Sequence, residues 1–134
     1  MLTEDHKTQM INRALQSREN AYAPYSKYKV GAALLTKSGE IFTGVNVENA
    51  AYPTGTCAER VAVFKAVSEG IREFEAIAVA SNNGGTPCGS CRQVLAEFGL
   101  DTIILIVDGQ GNLIQETTVA EILPGAFTAQ DLIP

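Results

Sequence analysis

Apolar residues recur at helical spacing through Met10, Ile11, Ala14 and Leu15, behind Thr3-Glu4-Asp5, which supplies a capping hydroxyl and first-turn acids. The pattern predicts a helix that starts at Thr3 and ends near Tyr22, before Pro24. Small and aliphatic residues from Lys29 to Thr36 predict a strand. Lys37-Ser38-Gly39-Glu40 then makes a turn, and Ile41 to Glu48 returns as the second strand of a hairpin. Ala50 to Thr56, which holds Pro53 and Gly55, is expected as a loop.

Cys57 to Glu69 predicts a second helix, apolar around most of its circumference through Val61, Ala62, Val63, Phe64, Ala66 and Val67. Such a helix belongs in the core or at a subunit contact, and Gly70 closes it. Glu75 to Ala80 reads as a third strand and Asn82 to Thr86 as a loop. A helix then opens at Cys88 or Gly89 and runs to about Phe98, with Cys91, Val94, Leu95 and Phe98 on one face. Thr102 to Val107 is a fourth strand and Asp108 to Asn112 a turn. A short fifth strand lies near Leu113 to Gln115, and a last helix, Thr118 to Leu123, stops at Pro124-Gly125. A hairpin followed by alternating helices and strands implies a mixed sheet with helices on its faces. No repeat or linker divides the chain, so one domain over residues 1–134 is expected.

Composition narrows the classes. Hydrophobic content of 46% and charged content of 19% suit a globular protein. No apolar run approaches the roughly 18 residues of a membrane span, and the mostly polar start, Met1 to Lys7, lacks the pattern of a signal peptide. Three cysteines, two of them three apart, favour reduced thiols on a metal over a disulfide framework, and with that a cytoplasmic location. The net charge is −5, and from Gln93 to Pro134 six acidic residues face no Lys or Arg. Nucleic acid calls for a basic stripe. Arg18, Lys27 and Lys29 are only scattered bases, so a small, weakly charged substrate fits better than a polynucleotide.

The chemistry concentrates in Cys57-Ala58-Glu59 and Pro87-Cys88-Gly89-Ser90-Cys91. Both groups sit where a loop becomes a helix, and residues three apart share a helix face. Three thiolates can hold zinc and leave its fourth position open, as catalytic sites do. Two helix N-termini would favour those anionic ligands. Zinc with three thiolates carries net charge −1, which weakens its power to acidify water. Arg60 is placed either to offset that charge or to stand as a plain surface residue. Spacing alone leaves other readings open: buried core thiols, a thioredoxin-like redox pair, or a structural zinc site. The redox pair leaves Cys57 and Glu59 unexplained. The structural site wants a fourth protein ligand, and His6, the only histidine, is far away in the first helix.

C-x-E…P-C-x-x-C matches the zinc-deaminase signature with cysteine in the first place. The chain resembles the cytidine deaminase family in its small homotetrameric, three-cysteine form. The likeness extends to Ala23-Pro24-Tyr25-Ser26-Lys27-Tyr28, Val30 to Leu34, Gly44 to Tyr52, Thr56 to Arg60, Thr86 to Gln93, and Leu123 to Phe127, in order over most of the chain. The resemblance implies a three-layer α-β-α fold on a five-stranded mixed sheet. It also implies one zinc ion per chain on Cys57, Cys88 and Cys91, and the hydrolysis of cytidine or deoxycytidine to uridine or deoxyuridine and ammonia.

In that chemistry Glu59 takes a proton from water, protonates N3 of the base and carries a proton to the leaving amine. A carboxyl beside a net-negative site is expected to be pushed toward its protonated form. Asn46 and Glu48, two apart at a strand end, point to one face, and by resemblance they grip the sugar at its 3′ hydroxyl. Tyr28 stands where the family often has a phenylalanine that packs on the base, so its hydroxyl must find a partner. Tyr52 and Phe127 are further pocket residues, and by resemblance Phe127 enters a neighbouring subunit's site. Core packing is the competing role for all three aromatics. The backbone carbonyl of Thr86 is placed to accept from the amine. The partners implied are a nucleoside substrate and further copies of the chain, with neither nucleic acid nor membrane. Rival readings are a deaminase of modified cytosine nucleosides, a nucleotide deaminase, an RNA- or DNA-editing enzyme, and a non-enzymatic zinc-stabilised module.

Overall fold

A computed structural model describes residues 2–133. Met1 and Pro134, the ends of the expected domain, lie outside the described residues. Five strands form one sheet: β1 (Gly31–Thr36), β2 (Ile41–Val45), β3 (Phe74–Ala80), β4 (Ile103–Val107) and β5 (Leu113–Thr118). They are ordered β2-β1-β3-β4-β5. Only β3 and β4 run parallel; the other neighbours are antiparallel. Strand order was not legible in the sequence, and it puts β1 and β3 side by side in the middle. There Gly31, at the start of β1, faces Ala80, at the end of β3. The functional residues gather around that end of the sheet.

Helix α1 (Glu4–Arg18) covers one face. Its Met10 and Ala14 pack on Ala33, Leu35, Ala76, Ala78, Leu105 and Val107. Thr3 caps it by accepting from the His6 N–H at 3.1 Å. The helix ends at Arg18, before the expected Tyr22, because Tyr22 leaves it to bond Asn46 and Glu48 through backbone. On the other face lie α2 (Ala58–Ser68), α3 (Gly89–Phe98) and the short α4 (Val119–Ile122), over a core that includes Leu34, Ile77, Val79, Ile104 and Ile106. The result is the expected α-β-α sandwich. Within α2, Ala58, Ala62, Val63 and Ala66 are buried, while Phe64 is 52% exposed, so its apolar surface is only partly covered. β5 runs three residues beyond its expected end, through Thr118, because it pairs with all of β4. The last helix is correspondingly shorter, starting at Val119.

Small residues set how closely the layers approach. A Cβ on Gly44 would stand 2.4 Å from the Ala58 carbonyl and 2.6 Å from the Ala62 nitrogen, so α2 rests directly on β2 there. Backbone at both contacts cannot yield without moving the helix. Gly44→Ala is therefore expected to cost about 2–3 kcal/mol, at the upper end for overpacking. Equilibrium urea unfolding checks this: an unchanged midpoint would show that the helix slides freely.

Candidate active site

Cys57 and Cys88 are the N-cap residues of α2 and α3, with extended backbone, and Cys91 lies one turn into α3. Cys57 was expected as the first helical residue and is instead the residue just before it. The sheet and its helices thus bring two helix starts, 31 residues apart in sequence, against each other. The Cys57 and Cys88 sulfurs are 3.9 Å apart and those of Cys88 and Cys91 3.5 Å, and all three lie within 4.8 Å of one another. Three sulfurs bound at about 2.3 Å in tetrahedral directions would be about 3.8 Å apart. The donor set therefore fits a zinc ion with little movement, and its softness suits that metal.

Arg60 follows Cys57 by one turn and its Nη2 donates to Cys57 Sγ at 3.4 Å. Hydrogen bonding from Cys91 and from Arg60 lowers the Cys57 thiol to about 5, despite its burial. Cys91 moves the other way, because its proton is held in the bond to Cys57 and because it is buried. Hydrogen bonding thus favours the thiolate form at Cys57, beside the Arg60 guanidinium, over that at Cys91.

Glu59 is 4% exposed, and its side chain shares the wall of a cavity of about 210 Å³ with Cys57, Cys88, Tyr28, Asn46 and Thr86. Its carboxyl is pushed up to about 7, chiefly by burial, with the Cys57 charge a smaller cause. The direction matches the sequence expectation but the leading cause differs: loss of water outweighs the neighbouring negative charge.

Asn46 and Glu48 lie just past the end of β2. Backbone bonds to Tyr22 on one side and Thr56 on the other hold their segment extended. Both side chains line the 210 Å³ cavity, yet both also serve the protein. Asn46 Oδ1 accepts from the Val30 N–H at 2.9 Å, and Nδ2 donates to the Tyr28 carbonyl at 2.8 Å. Glu48 Oε1 accepts from the Tyr25 and Ser26 N–H groups, and Oε2 from the Ser26 hydroxyl. The Ser26 hydroxyl and N–H hold the Glu48 carboxyl below its usual range. Tyr28 reaches the cavity wall and its hydroxyl finds a partner, donating to Asn83 Oδ1 at 2.7 Å. Tyr52 is 77% exposed and lines an adjoining cavity of about 510 Å³, where its ring meets Tyr25 edge-on at 6.1 Å. Phe127 is 55% exposed and forms part of neither cavity wall, and its carbonyl accepts from Gln93 Nε2 at 2.7 Å.

Arg92 had no assigned role in the sequence. Its guanidinium donates to the Pro87 carbonyl at 2.7 Å, the Ile122 carbonyl at 2.7 Å and Thr86 Oγ1 at 3.0 Å, so it ties the Cys88 loop to the end of α4. A cation in the first turn of a helix opposes the dipole, and that mismatch was the available signal.

A family model for the cytidine and deoxycytidylate deaminase zinc-binding region matches residues 4–107. The chain belongs to this deaminase family. It is 50% identical over 125 residues to a cytidine deaminase of Sporosarcina psychrophila, with 92% of each chain covered. It is 53% identical over 126 residues to that of Halalkalibacterium halodurans, with 92% of this chain and 95% of the relative covered. Among solved structures, the cytidine deaminase of Burkholderia pseudomallei superimposes with a TM-score of 0.85 at 46% identity, over 90% of this chain and 98% of that one. All three thiols of the cluster lie within the residues that the zinc-binding family model matches. Among the described residues, no helix is long and apolar enough to cross a membrane.

Proposed function

We propose that this chain is a zinc-dependent cytidine deaminase that hydrolyses cytidine and deoxycytidine to uridine and deoxyuridine with release of ammonia, a step of pyrimidine salvage. One observation carries the reading: a nearly buried carboxyl, Glu59, shares a cavity with three thiols spaced for one metal ion. Zinc held by Cys57, Cys88 and Cys91 supplies the Lewis acidity that makes water reactive near neutral pH. Glu59 does the proton work. With its carboxyl at about 7, it takes a proton and returns it at similar ease. It delivers the first proton to N3 as C4 is attacked, and a later one to the departing amine. Arg60 balances the charge of the thiolates.

Tyr28 walls the base, and the Thr86 carbonyl accepts from the amine. Asn46 keeps a second amide N–H after giving one to Tyr28, and Glu48 keeps lone pairs beyond the turn it caps. These face the sugar. Recognition at the 3′ hydroxyl admits ribo- and deoxyribonucleosides alike. Tyr52 borders the approach. Phe127, exposed and outside its own cavity walls, completes the pocket of a neighbour in a homotetramer. The reduced thiols suit the cytoplasm.

The test is loss of cytidine ultraviolet absorbance with the zinc-loaded protein, alongside sedimentation of wild type and Phe127→Ala. Turnover by a tetramer, lowered in Phe127→Ala, is the expected result. No turnover of cytidine by zinc-loaded protein would overturn the reaction, and a fully active monomer would overturn the shared pocket.

A further inference from the structure

Tyr28 and Asn83 are 55 positions apart, and the hydrogen bond between them joins the segment before β1 to the loop at residues 82–86. We propose that Asn83 is a positioning residue for the site: by accepting the Tyr28 hydroxyl, it latches the Tyr28 ring and this loop together over the cavity that holds Glu59 and Cys88. The latch rests on the deaminase reading and adds to it a residue outside the cavity wall.

The Tyr28 main chain is already fixed. Its N–H donates to Ser26 Oγ at 3.0 Å, and its carbonyl accepts from Asn46 Nδ2 at 2.8 Å. The ring is left with two torsions, and the hydroxyl at its far end settles both by meeting Asn83. A phenol in a partly enclosed site needs such a partner. The loop is shaped for the ring as well. A Cβ on Gly85 would stand 2.7 Å from the Tyr28 hydroxyl oxygen, so the glycine leaves the clearance that the phenol occupies. The Gly85 N–H donates to Ser81 Oγ at 3.0 Å, which turns the loop back toward β3. Gly84 has φ +71°, a left-handed backbone that suits glycine. Asn83 thus supplies the acceptor, Gly84 the turn and Gly85 the space. Thr86 follows at once and lines the same cavity, as do Tyr28, Ser81 and Gly85, whereas Asn83 itself is exposed and lines none of it. Asn83 therefore acts through Tyr28 and through the loop that leads to Cys88.

A double-mutant cycle on the zinc-loaded protein tests the latch by steady-state kinetics with cytidine. Tyr28→Phe and Asn83→Ala are each expected to raise KM about fivefold, the worth of one neutral hydrogen bond, and to change KM more than kcat. The double variant should be no worse than either single one, because both remove the same bond. Asn83→Asp, which keeps an acceptor, should hold KM near the wild-type value. Overturning results are an unchanged KM in Asn83→Ala, a fall in Tm without a KM change, or effects that multiply to about 25-fold in the double variant. An active wild type with multiplying effects sinks the latch alone. A zinc-loaded wild type that turns over no cytidine sinks the deaminase reading, and the latch with it.

Discussion

Glu59→Gln is expected to lower cytidine turnover by about three orders of magnitude or more, the scale of a central proton-transfer group, while zinc content and fold stay intact. Glutamine has the same shape but cannot ionise, so it tests proton transfer with packing held constant. Glu59 is 4% exposed, and burial raises its carboxyl to about 7. Near neutral pH the folded protein therefore holds a carboxyl that water would ionise more readily. Replacing it with a neutral amide relieves that cost, so the variant should melt no lower than wild type. Zinc is bound by other residues and should remain at one ion per chain. Turnover followed by ultraviolet absorbance, zinc by atomic absorption and melting by circular dichroism check the three parts. A variant that keeps about a tenth of the activity would show that another group carries the proton, because general acid–base loss is larger than that.

The metal ligands were legible because their chemistry is local. Cys88 and Cys91 share a helix turn, and Cys57 stands beside Glu59, so short-range spacing put a shared ion among the readings and the resemblance chose it. Helix and strand positions were legible for the same reason: Met10 and Ala14 recur with the helix period and pack on the sheet where that period puts them. What escaped the sequence depends on contacts between distant segments. Strand order places β3 between β1 and β4, and no local pattern encodes that choice. Glu48 was expected at the sugar only through the resemblance, and nothing in the sequence tied it to the Tyr25-Ser26 turn that it caps from more than 20 residues away. Arg92 shows a signal in its unfavourable helix position, yet its acceptors Pro87, Thr86 and Ile122 come together only in the folded chain. Asn83 gave no signal at all. Its role exists only because the loop after β3 passes the ring before β1.

Cys88→Ser is expected to take zinc from one ion per chain to nearly none and to abolish turnover, while the chain stays folded. Serine keeps the shape of the N-cap and favours that position, so the start of α3 should survive. The loss falls on the metal. A hydroxyl is not ionised at neutral pH as a zinc-bound thiol is, and the two remaining sulfurs give an open chelate with much weaker hold on a soft-tolerant cation. In small zinc modules, losing the metal unfolds the chain, because its binding energy is the folding energy. Here the cores on both faces of the sheet are built from buried residues such as Leu34, Ile77, Leu105 and Ile106, none of which needs the ion. Metal binding should therefore add to Tm only as a ligand of the folded state does, in proportion to the logarithm of free zinc over its dissociation constant. A chelator applied to wild type should reproduce the variant: lower Tm, unchanged far-ultraviolet dichroism, no turnover, and recovery when zinc is restored. Serine at 88 should block that recovery. If instead chelation melted the sheet, zinc would be part of the core of this fold. If Cys88→Ser kept its zinc, a fourth protein donor would have to stand close to Cys57 and Cys91. The three thiols are the only cluster of metal-ligating side chains found among the described residues, so zinc content alone decides whether they are the whole site.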